Sequence, residues 1–563
     1  MFARAFISEI KFQSGLKVTA GPSSVIVIVG PNNSGKTATL DDIRQILQDE
    51  KKTENKVLDY LRITKVSSIE EVKEKLANAK NVSGQYVVAQ HQFPDISLEV
   101  WWEKPDVLTL FFWQRLVSDL TTRNRLIDCD PPSVIDPKIP LNFTHPFQYM
   151  YRSPDIELET SAIVRKAFKK DIVVHRAAGG SIPLHIGDRP KIETGEDRIS
   201  VSYIERLERL PRLETQGDGV VSFVSIVSRV VTEDRPILMI DEPEAFLHPP
   251  QAKLVAESIV GHGGGRQTII ATHSSDILQG LLSDQGDRVS VVRLTRANSR
   301  PTASYLASDQ VSELWKDPIL RFSNILDGLF HDGVIVTEAD ADCRFYEAVA
   351  SAAIPADSRP DIHYTYSGGK DRIPVVIKAL AGVNVPVATV VDFDVLNNEQ
   401  PLRRIVEAHR GDWSIVQPDW QSVKTAVEAK EAFLSGKQFR TDVTTELKSY
   451  GNQAAVPKEV LQRVKKLARQ ASPWDNIKDS GLASVAAGEP TLAAKRLLAS
   501  LRSIGIFVAP NGEMEGFCRS IGGHGPRWVE EVLKRDLAID EEIQAARNFV
   551  TEIIDYLKRQ AEQ

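Results

Sequence analysis

Gly30-Pro31-Asn32-Asn33-Ser34-Gly35-Lys36-Thr37 follows directly on the apolar run Val25–Val29, and this junction decides the fold. A run of five β-branched residues reads as a strand covered on both faces, as in a parallel sheet flanked by helices. The octet is a complete GxxxxGK[ST] loop in the context such a loop requires, between a strand and a helix. Gly30 and Gly35 let the backbone curl, and with Asn32, Asn33 and Ser34 between them the loop turns N–H groups toward phosphate oxygens. The positive end of the following helix adds to this. Lys36 is placed to bridge the β- and γ-phosphates of a nucleoside triphosphate, and Thr37 to hold Mg²⁺.

Two further apolar runs, 237–240 and 268–271, also end in chemistry. The first runs into Asp241-Glu242-Pro243-Glu244 and the second into Thr272-His273-Ser274. Asp241 is expected on Mg²⁺ and Glu242 on the attacking water, with His273 as a switch toward the γ-phosphate. The runs DEPEAFLHP (241–249) and ATHSSDIL (271–278) resemble the ABC-type ATPase heads of the OLD (overcoming lysogenization defect) and RecF/SMC group. That resemblance implies an α/β head over residues 1–310 using ATP and Mg²⁺. It also implies a signature segment from a second head, for which Gln216-Gly217-Asp218-Gly219-Val220-Val221-Ser222 is the candidate. One head per chain then implies a homodimer or higher oligomer. Gln90 and Gln92 are the candidates for a glutamine loop. Residues 95–102 and 107–113 alternate and carry aromatics, so they read as an antiparallel hairpin or meander. Residues 103–160 read as an insertion and a candidate dimerisation element.

A second α/β unit follows. Strand 334–337 precedes Glu338, with Asp342 one helical turn on, and strand 387–391 precedes Asp392-Phe393-Asp394. Carboxylates at the carboxyl ends of neighbouring parallel strands converge on one crevice. Asp392 and Asp394 share a face if the strand continues, with Phe393 pointing into the core. Acids so gathered repel unless a divalent cation is present, which argues for Mg²⁺, or Mn²⁺ as an alternative. The arrangement resembles the TOPRIM domain, with Ala339 where that family has glycine and Ser367-Gly368-Gly369-Lys370 as its glycine turn. Val508-Ala509-Pro510-Asn511-Gly512-Glu513-Met514-Glu515 resembles the strand-plus-acid element of OLD enzymes. Together these imply a TOPRIM domain over 325–415 and 503–563. Glu338, Asp392 and Asp394 would carry one metal, and Asp342 with Glu513, or Glu515 as second choice, would help with another. Lys370, Lys378 and His524 are the candidates for stabilising the transition state. Residues 540–557 place Ile543, Ala546, Phe549, Val550, Ile553 and Leu557 on one helical face.

Residues 416–502 read as a helical insertion with a basic bias, including Lys424, Lys430, Lys437, Arg440 and Lys448, that could guide a nucleic-acid backbone. The full chain of 563 residues has a net charge of −7, which argues against a generally basic nucleic-acid coat but allows a local patch. Three scattered cysteines, Cys129, Cys343 and Cys518, form no CxxC pair, which fits a reducing cytoplasm. No run approaches the length of a membrane span, and the first residues are not a signal peptide. An ATPase head followed by TOPRIM is the order of OLD-family nucleases, a group that includes the Gabija nuclease subunit and retron-associated effectors. The resemblance implies an ATP-regulated, metal-dependent endonuclease in anti-phage defence, acting on DNA by preference, with a second defence-system protein as a further partner. Three alternatives stand beside it: a nuclease acting on RNA or tRNA, a RecF/SMC-like clamp, and an assembly scaffold with a non-cleaving TOPRIM.

Overall fold

The computed structural model describes residues 2–48, 54–81, 83–88, 91–136, 143–262, 265–297, 300–316, 324–429, 436–449, 456–470 and 473–562. The fold is α/β, and the chain divides into two compact units, Met1–Ser323 and Asn324–Gln563.

In the first unit, β1 (Ala5–Phe12), β2 (Lys17–Thr19) and β4 (Leu58–Lys65) form an antiparallel sheet in the order β2-β1-β4. The main sheet is built on β3 (Val25–Val29), with β5 (Val117–Leu120), β6 (Ile237–Asp241), β7 (Gln267–Ala271), β8 (Val289–Ala297) and β9 (Arg300–Leu306). Its order is β9-β8-β3-β7-β6-β5, and every pairing is parallel except the antiparallel edge pair β8–β9. All residues of β3, β6 and β7 are buried, as their unbroken apolar runs require. Each large aliphatic side chain so buried contributes about 1.5–3 kcal/mol, which fixes the strands centrally and leaves their carboxyl ends to carry loops. Helices α1 (Lys36–Gln48), α2 (Thr122–Ile127) and α3 (Asp218–Thr232) follow β3, follow β5 and precede β6 respectively.

Two expectations fail here. Residues 95–102 and 107–113 are not a hairpin: the first lie in helix Asp95–Glu103, and 110–113 of the second lie in helix Leu110–Leu116. Leu98 and Trp102, four apart, are the buried pair of the first helix, while Ile96 and Val100 are exposed. The inward stripe therefore has the helical period and not the period of two. Residues 103–160 are likewise no separable insertion, because they contain β5, which pairs in parallel with β6 at the edge of the main sheet.

In the second unit, β10 (Gly333–Thr337), β11 (Ile362–Tyr366), β12 (Val387–Val391) and β13 (Ile506–Val508) form an all-parallel sheet in the order β11-β10-β12-β13. Helix α4 (Asp340–Ala353) follows β10. Between β12 and β13 the chain runs through helices that include Trp413–Glu428, Gly436–Ser449, Lys458–Gln470, α5 (Pro473–Ser480) and Glu489–Ser503. Lys430 of the basic stretch lies outside the described residues. The closing helix α6 (Gln544–Glu562) buries Ala546, Phe549, Val550, Ile553 and Leu557 in the same core as Phe345 and Phe507, so its apolar face is used within the unit. Among the described residues no helix is long and apolar enough to cross a membrane.

Candidate active sites

The octet turns between β3 and α1 with Gly30 at φ +144° and Gly35 at φ +108°. A Cβ on Gly30 would stand 2.2 Å from the Leu294 carbonyl oxygen, so the neighbouring strand admits only glycine. Lys36 is buried and its Nζ donates to the Gly30 and Pro31 carbonyls at 2.8 and 2.9 Å. Burial lowers its pKa against the opposing pull of Glu242, Glu244 and Asp241. Ser34 is buried within the turn, and its Oγ has no hydrogen-bond partner among the described residues. An orphaned donor beside a buried lysine fits a phosphate oxygen. Asn32 and Asn33 are exposed on the loop, Asn33 with φ +61°.

Thr37 Oγ1 donates to Asp241 Oδ1 at 3.2 Å, so the two residues expected around Mg²⁺ meet. Burial, then Glu242, pushes the Asp241 carboxyl up to about 6. Charging it is unfavourable without a cation, which suits a metal-side ligand. Glu242 adopts φ +47°, a conformation non-glycine residues seldom take, and such strain is a feature of functional sites. Its N–H donates to the Ala271 carbonyl at 2.8 Å, and its own carbonyl accepts from Arg125 Nη2 at 2.9 Å. Arg125, on α2, is fully buried, and its Nε and Nη1 have no hydrogen-bond partner among the described residues.

His273 Nδ1 lies 3.5 Å from Glu242 and 3.2 Å from Glu244. Glu244 also accepts from the His273 N–H at 2.9 Å and from Thr272 Oγ1 at 2.8 Å. Sequence reasoning gave Glu244 no role; it ties the end of β7 to the turn after β6. Gly217 caps α3 at its N-terminus, with Asp218 in the first turn. A Cβ on Gly217 would meet nothing within 4 Å, whereas one on Gly219 would stand 2.6 Å from the Phe246 carbonyl oxygen. The second glycine thus serves packing inside the chain. Gln92 lies exposed and contacts Gln85, and Gln90 lies outside the described residues.

In the second unit, Glu338, Asp392 and Asp394 bring carboxylate oxygens within 4.8 Å of one another. The convergence follows from β10 and β12 being neighbours in the sheet. The expected alternation of Asp392 and Asp394 on a continuing strand does not occur. β12 stops at Val391, and Asp392 caps a 3₁₀ turn, Phe393–Asn397, that sends Phe393 into the core and returns Asp394 to the crevice. Asp342 accepts from the Ala339 N–H at 2.9 Å in the first turn of α4. Ala339 is extended at φ −137°, so this position has no need of glycine. Gly368 and Gly369 take φ +73° and +129° and turn the chain toward Lys370.

Burial, with the Asp394 and Asp342 charges adding and Lys370 opposing, pushes Glu338 up to about 7. Burial, then Glu515 against the Ala339 N–H, pushes Asp342 up to about 6. Asp392 is pushed well up by burial and by Glu338, Asp342 and Asp394. Lys370 contacts Asp394 directly and lies 3.9 Å from Glu338. A second group, Glu513, Glu515 and His524, also fits within 4.8 Å, with His524 Nδ1 3.2 Å from Glu513 and 3.7 Å from Glu515. Both groups offer the hard oxygen donors that suit Mg²⁺ or Mn²⁺. Lys378 is exposed in the last turn of helix Ile373–Ala381 and joins no ion pair of the crevice among the described residues. Lys478, on α5, was not singled out from the sequence, yet it lies within 4 Å of Asp392, Asp394 and Glu513.

Residues 190–278 match a family described as "AAA domain, putative AbiEii toxin, Type IV TA system". The match spans α3, β6 and β7, so an ATPase segment is the reading common to the family match and to the geometry. No curated protein matches the chain. Similar solved structures include an SMC head bound to the C-winged helix domain of ScpA, at 11% identity over 55% of this chain and 99% of that chain, TM-score 0.35. The SMC head domain from Thermotoga maritima matches at 11% identity over 53% and 98%, TM-score 0.29. The cbiO1 protein from Clostridium perfringens, part of the ABC transporter complex cbiONQ, matches at 14% identity over 56% and 94%, TM-score 0.26.

Proposed function

We propose that the chain is an ATP-regulated endonuclease: an ABC/SMC-type head that binds and hydrolyses ATP, joined to a TOPRIM-type unit that hydrolyses nucleic-acid phosphodiesters with divalent metal. The observation that supports the cutting half best is the meeting of Glu338, Asp392 and Asp394 from two adjacent strand ends, with Lys370 beside them. Four or more acids in one half-buried crevice are unfavourable on their own, and the raised pKa values of Glu338, Asp342 and Asp392 register that.

In the head, Lys36, Ser34 and the loop N–H groups hold the triphosphate, Thr37 and Asp241 hold Mg²⁺, and Glu242 orients water. His273 and Glu244 link that acid to the end of β7. The exposed Gly217–Asp218 helix start is free to approach the nucleotide of a second copy, which makes a homodimer the working unit. In the second unit, Glu338, Asp392 and Asp394 hold one metal, and Asp342, Glu513 and Glu515 hold another. Divalent ions there supply a water of lowered pKa and charge neutralisation at the phosphate. Lys370 holds Asp394 in place. DNA is the favoured substrate and anti-phage defence the favoured setting, both by family resemblance.

The test is cleavage of plasmid DNA and of structured RNA, with Mg²⁺ or Mn²⁺ and with or without ATP. The expected result is metal-dependent cutting that Glu338→Ala removes while ATP turnover persists. Cutting that survives Glu338→Ala would overturn the metal-site reading, and no cutting of either polymer would overturn the nuclease.

A further inference from the structure

Two glycines explain how closely the helical stretch after β12 approaches the acid crevice. A Cβ on Gly512, at φ +105°, would stand 2.0 Å from the Lys478 carbonyl oxygen. A Cβ on Gly481, at φ +55°, would stand 2.2 Å from the Pro510 carbonyl oxygen. The Leu482 N–H donates to the Pro510 carbonyl at 2.9 Å, and the Phe393 N–H donates to the Gly512 carbonyl at 2.7 Å. The end of α5 is therefore pressed, backbone to backbone, on the turn that carries Glu513. That turn is in turn bonded to the one that carries Asp392 and Asp394. Lys478 is set over the acids by main-chain contacts and not by a flexible loop.

Its surroundings differ from those of the other lysine in the crevice. Lys370 touches Asp394 directly and is 25% exposed. Lys478 Nζ lies 3.9 Å from Asp392, 3.9 Å from Asp394 and 3.6 Å from Glu513, with its side chain 39% exposed. Each separation gives Coulomb attraction, but none is a hydrogen bond. Lys370 spends a donor on a carboxylate. Lys478 is held by the summed charge of three carboxylates, and among the described residues its Nζ makes no hydrogen bond. A point charge with free donors suits the oxygens of an incoming phosphate, and it can tighten as charge builds there.

We propose that Lys478 is a catalytic residue of the acid crevice, donating to a non-bridging oxygen of the scissile phosphate. This rests on the nuclease reading above. In the reaction a water oxygen–phosphorus bond forms and the phosphorus–3′-oxygen bond breaks. The water's proton is released and the 3′-oxygen leaves with a proton from solvent. Lys478 keeps its own proton throughout and contributes charge and hydrogen bonds only.

The full chain and its Lys478→Gln and Lys478→Arg variants are compared in two measurements. One is single-turnover cleavage with Mn²⁺; the other is Mn²⁺ titration together with binding of a cleavage-resistant phosphorothioate oligonucleotide. Loss of one such donor at a developing charge lowers the rate about a hundredfold or more, so Lys478→Gln should cut at least that much more slowly and Lys478→Arg should be intermediate. Mn²⁺ should bind Lys478→Gln as tightly as wild type or tighter, because a competing cation is gone, while the oligonucleotide binds more weakly. Cutting within threefold of wild type overturns the proposal. So does Mn²⁺ affinity that falls in step with cutting, since Lys478 would then only hold the cluster together. If the wild type cuts nothing but binds the oligonucleotide through Lys478, the nuclease reading fails while the phosphate contact stands. If it binds no oligonucleotide, both fail.

Discussion

The two crevices sit at the carboxyl ends of parallel strands in their respective units, yet they are built by opposite means. In the first unit the receiving surface is backbone: a loop curled by Gly30 and Gly35, an orphaned Ser34 hydroxyl, and one lysine folded onto main-chain carbonyls. In the second it is side-chain charge: two triads of groups able to hold a metal ion, with Lys370 and Lys478 beside the carboxylates. A backbone site is broken by changing shape and a side-chain site by changing charge. The two should therefore fail to different kinds of substitution, and ATP turnover should survive damage to the second.

The largest effects test that difference. Lys36→Ala is expected to abolish ATP binding and leave the fold intact, measured by nucleotide titration beside a thermal melt. Asp392→Ala with Asp394→Ala is expected to reduce cutting to background while ATP turnover stays near wild type. Normal ATP affinity in the first variant would refute the head assignment. Loss of ATP turnover together with cutting in the variant with Asp392→Ala and Asp394→Ala would mean that the head does not work on its own.

Shape comes next. Gly30→Ala keeps the charge of the first crevice but needs room that the Leu294 carbonyl occupies, in a backbone conformation alanine seldom adopts. Strain of this kind costs about 1–3 kcal/mol, so a lower melting temperature together with lost nucleotide binding is expected. Unchanged ATP affinity in Gly30→Ala would show that the loop is not held against β8 as described.

Charge should respond to pH in the second crevice. Glu338 and Asp342 are pushed up to about 7 and about 6, above their ordinary values of 4.5 and 3.8. Without metal the folded chain then binds more protons than the unfolded one. The stability these groups contribute is full below their ordinary pKa and is lost as pH rises through about 6 to 7. A divalent cation requires the charged forms, so its stabilising effect runs the other way. Mn²⁺ without nucleotide should raise the melting temperature more at pH 8 than at pH 5.5, and Glu338→Ala should shrink that difference. Equal increments at both pH values would mean that these acids do not hold the ion.

Part of this was legible in the sequence and part was not, for physical reasons. Val25–Val29 could be read at once, because a fully buried strand has only apolar residues to show. The acids after β10 and β12 could be read because strand ends are local and parallel neighbours bring them together. The segment 95–113 was misread because Ile96, Leu98, Val100 and Trp102 satisfy a period of two as well as the helical stripe that Leu98 and Trp102 form. Asp394 reached the crevice by a 3₁₀ turn that alternation does not foretell. Arg125, Glu244 and Lys478 were missed because each acts across the fold. Arg125 works on the carbonyl of Glu242, and Lys478 reaches the acids only through the apposition of Gly481 and Gly512. Glycines at a helix exit and at a strand-end turn were the signal available for that contact, though nothing in their spacing pairs them.

The smallest expected effect is also the sharpest check on the resemblance. The TOPRIM pattern has glycine where this chain has Ala339, and if that glycine served the turn, alanine there would hold the crevice slightly open. Ala339 instead sits at φ −137° and ψ 164°, where a Cβ is tolerated by any residue, and its N–H already binds Asp342 at 2.9 Å. Restoring glycine therefore gains no geometry and loses only chain stiffness, worth about 0.5–1 kcal/mol or less at a capping position. Ala339→Gly should melt within a few degrees of wild type and cut within about twofold of it, an energy difference too small to matter. A large gain in cutting would mean that the alanine constrains Glu338 and Asp342, and that the second crevice depends on backbone shape as the first one does.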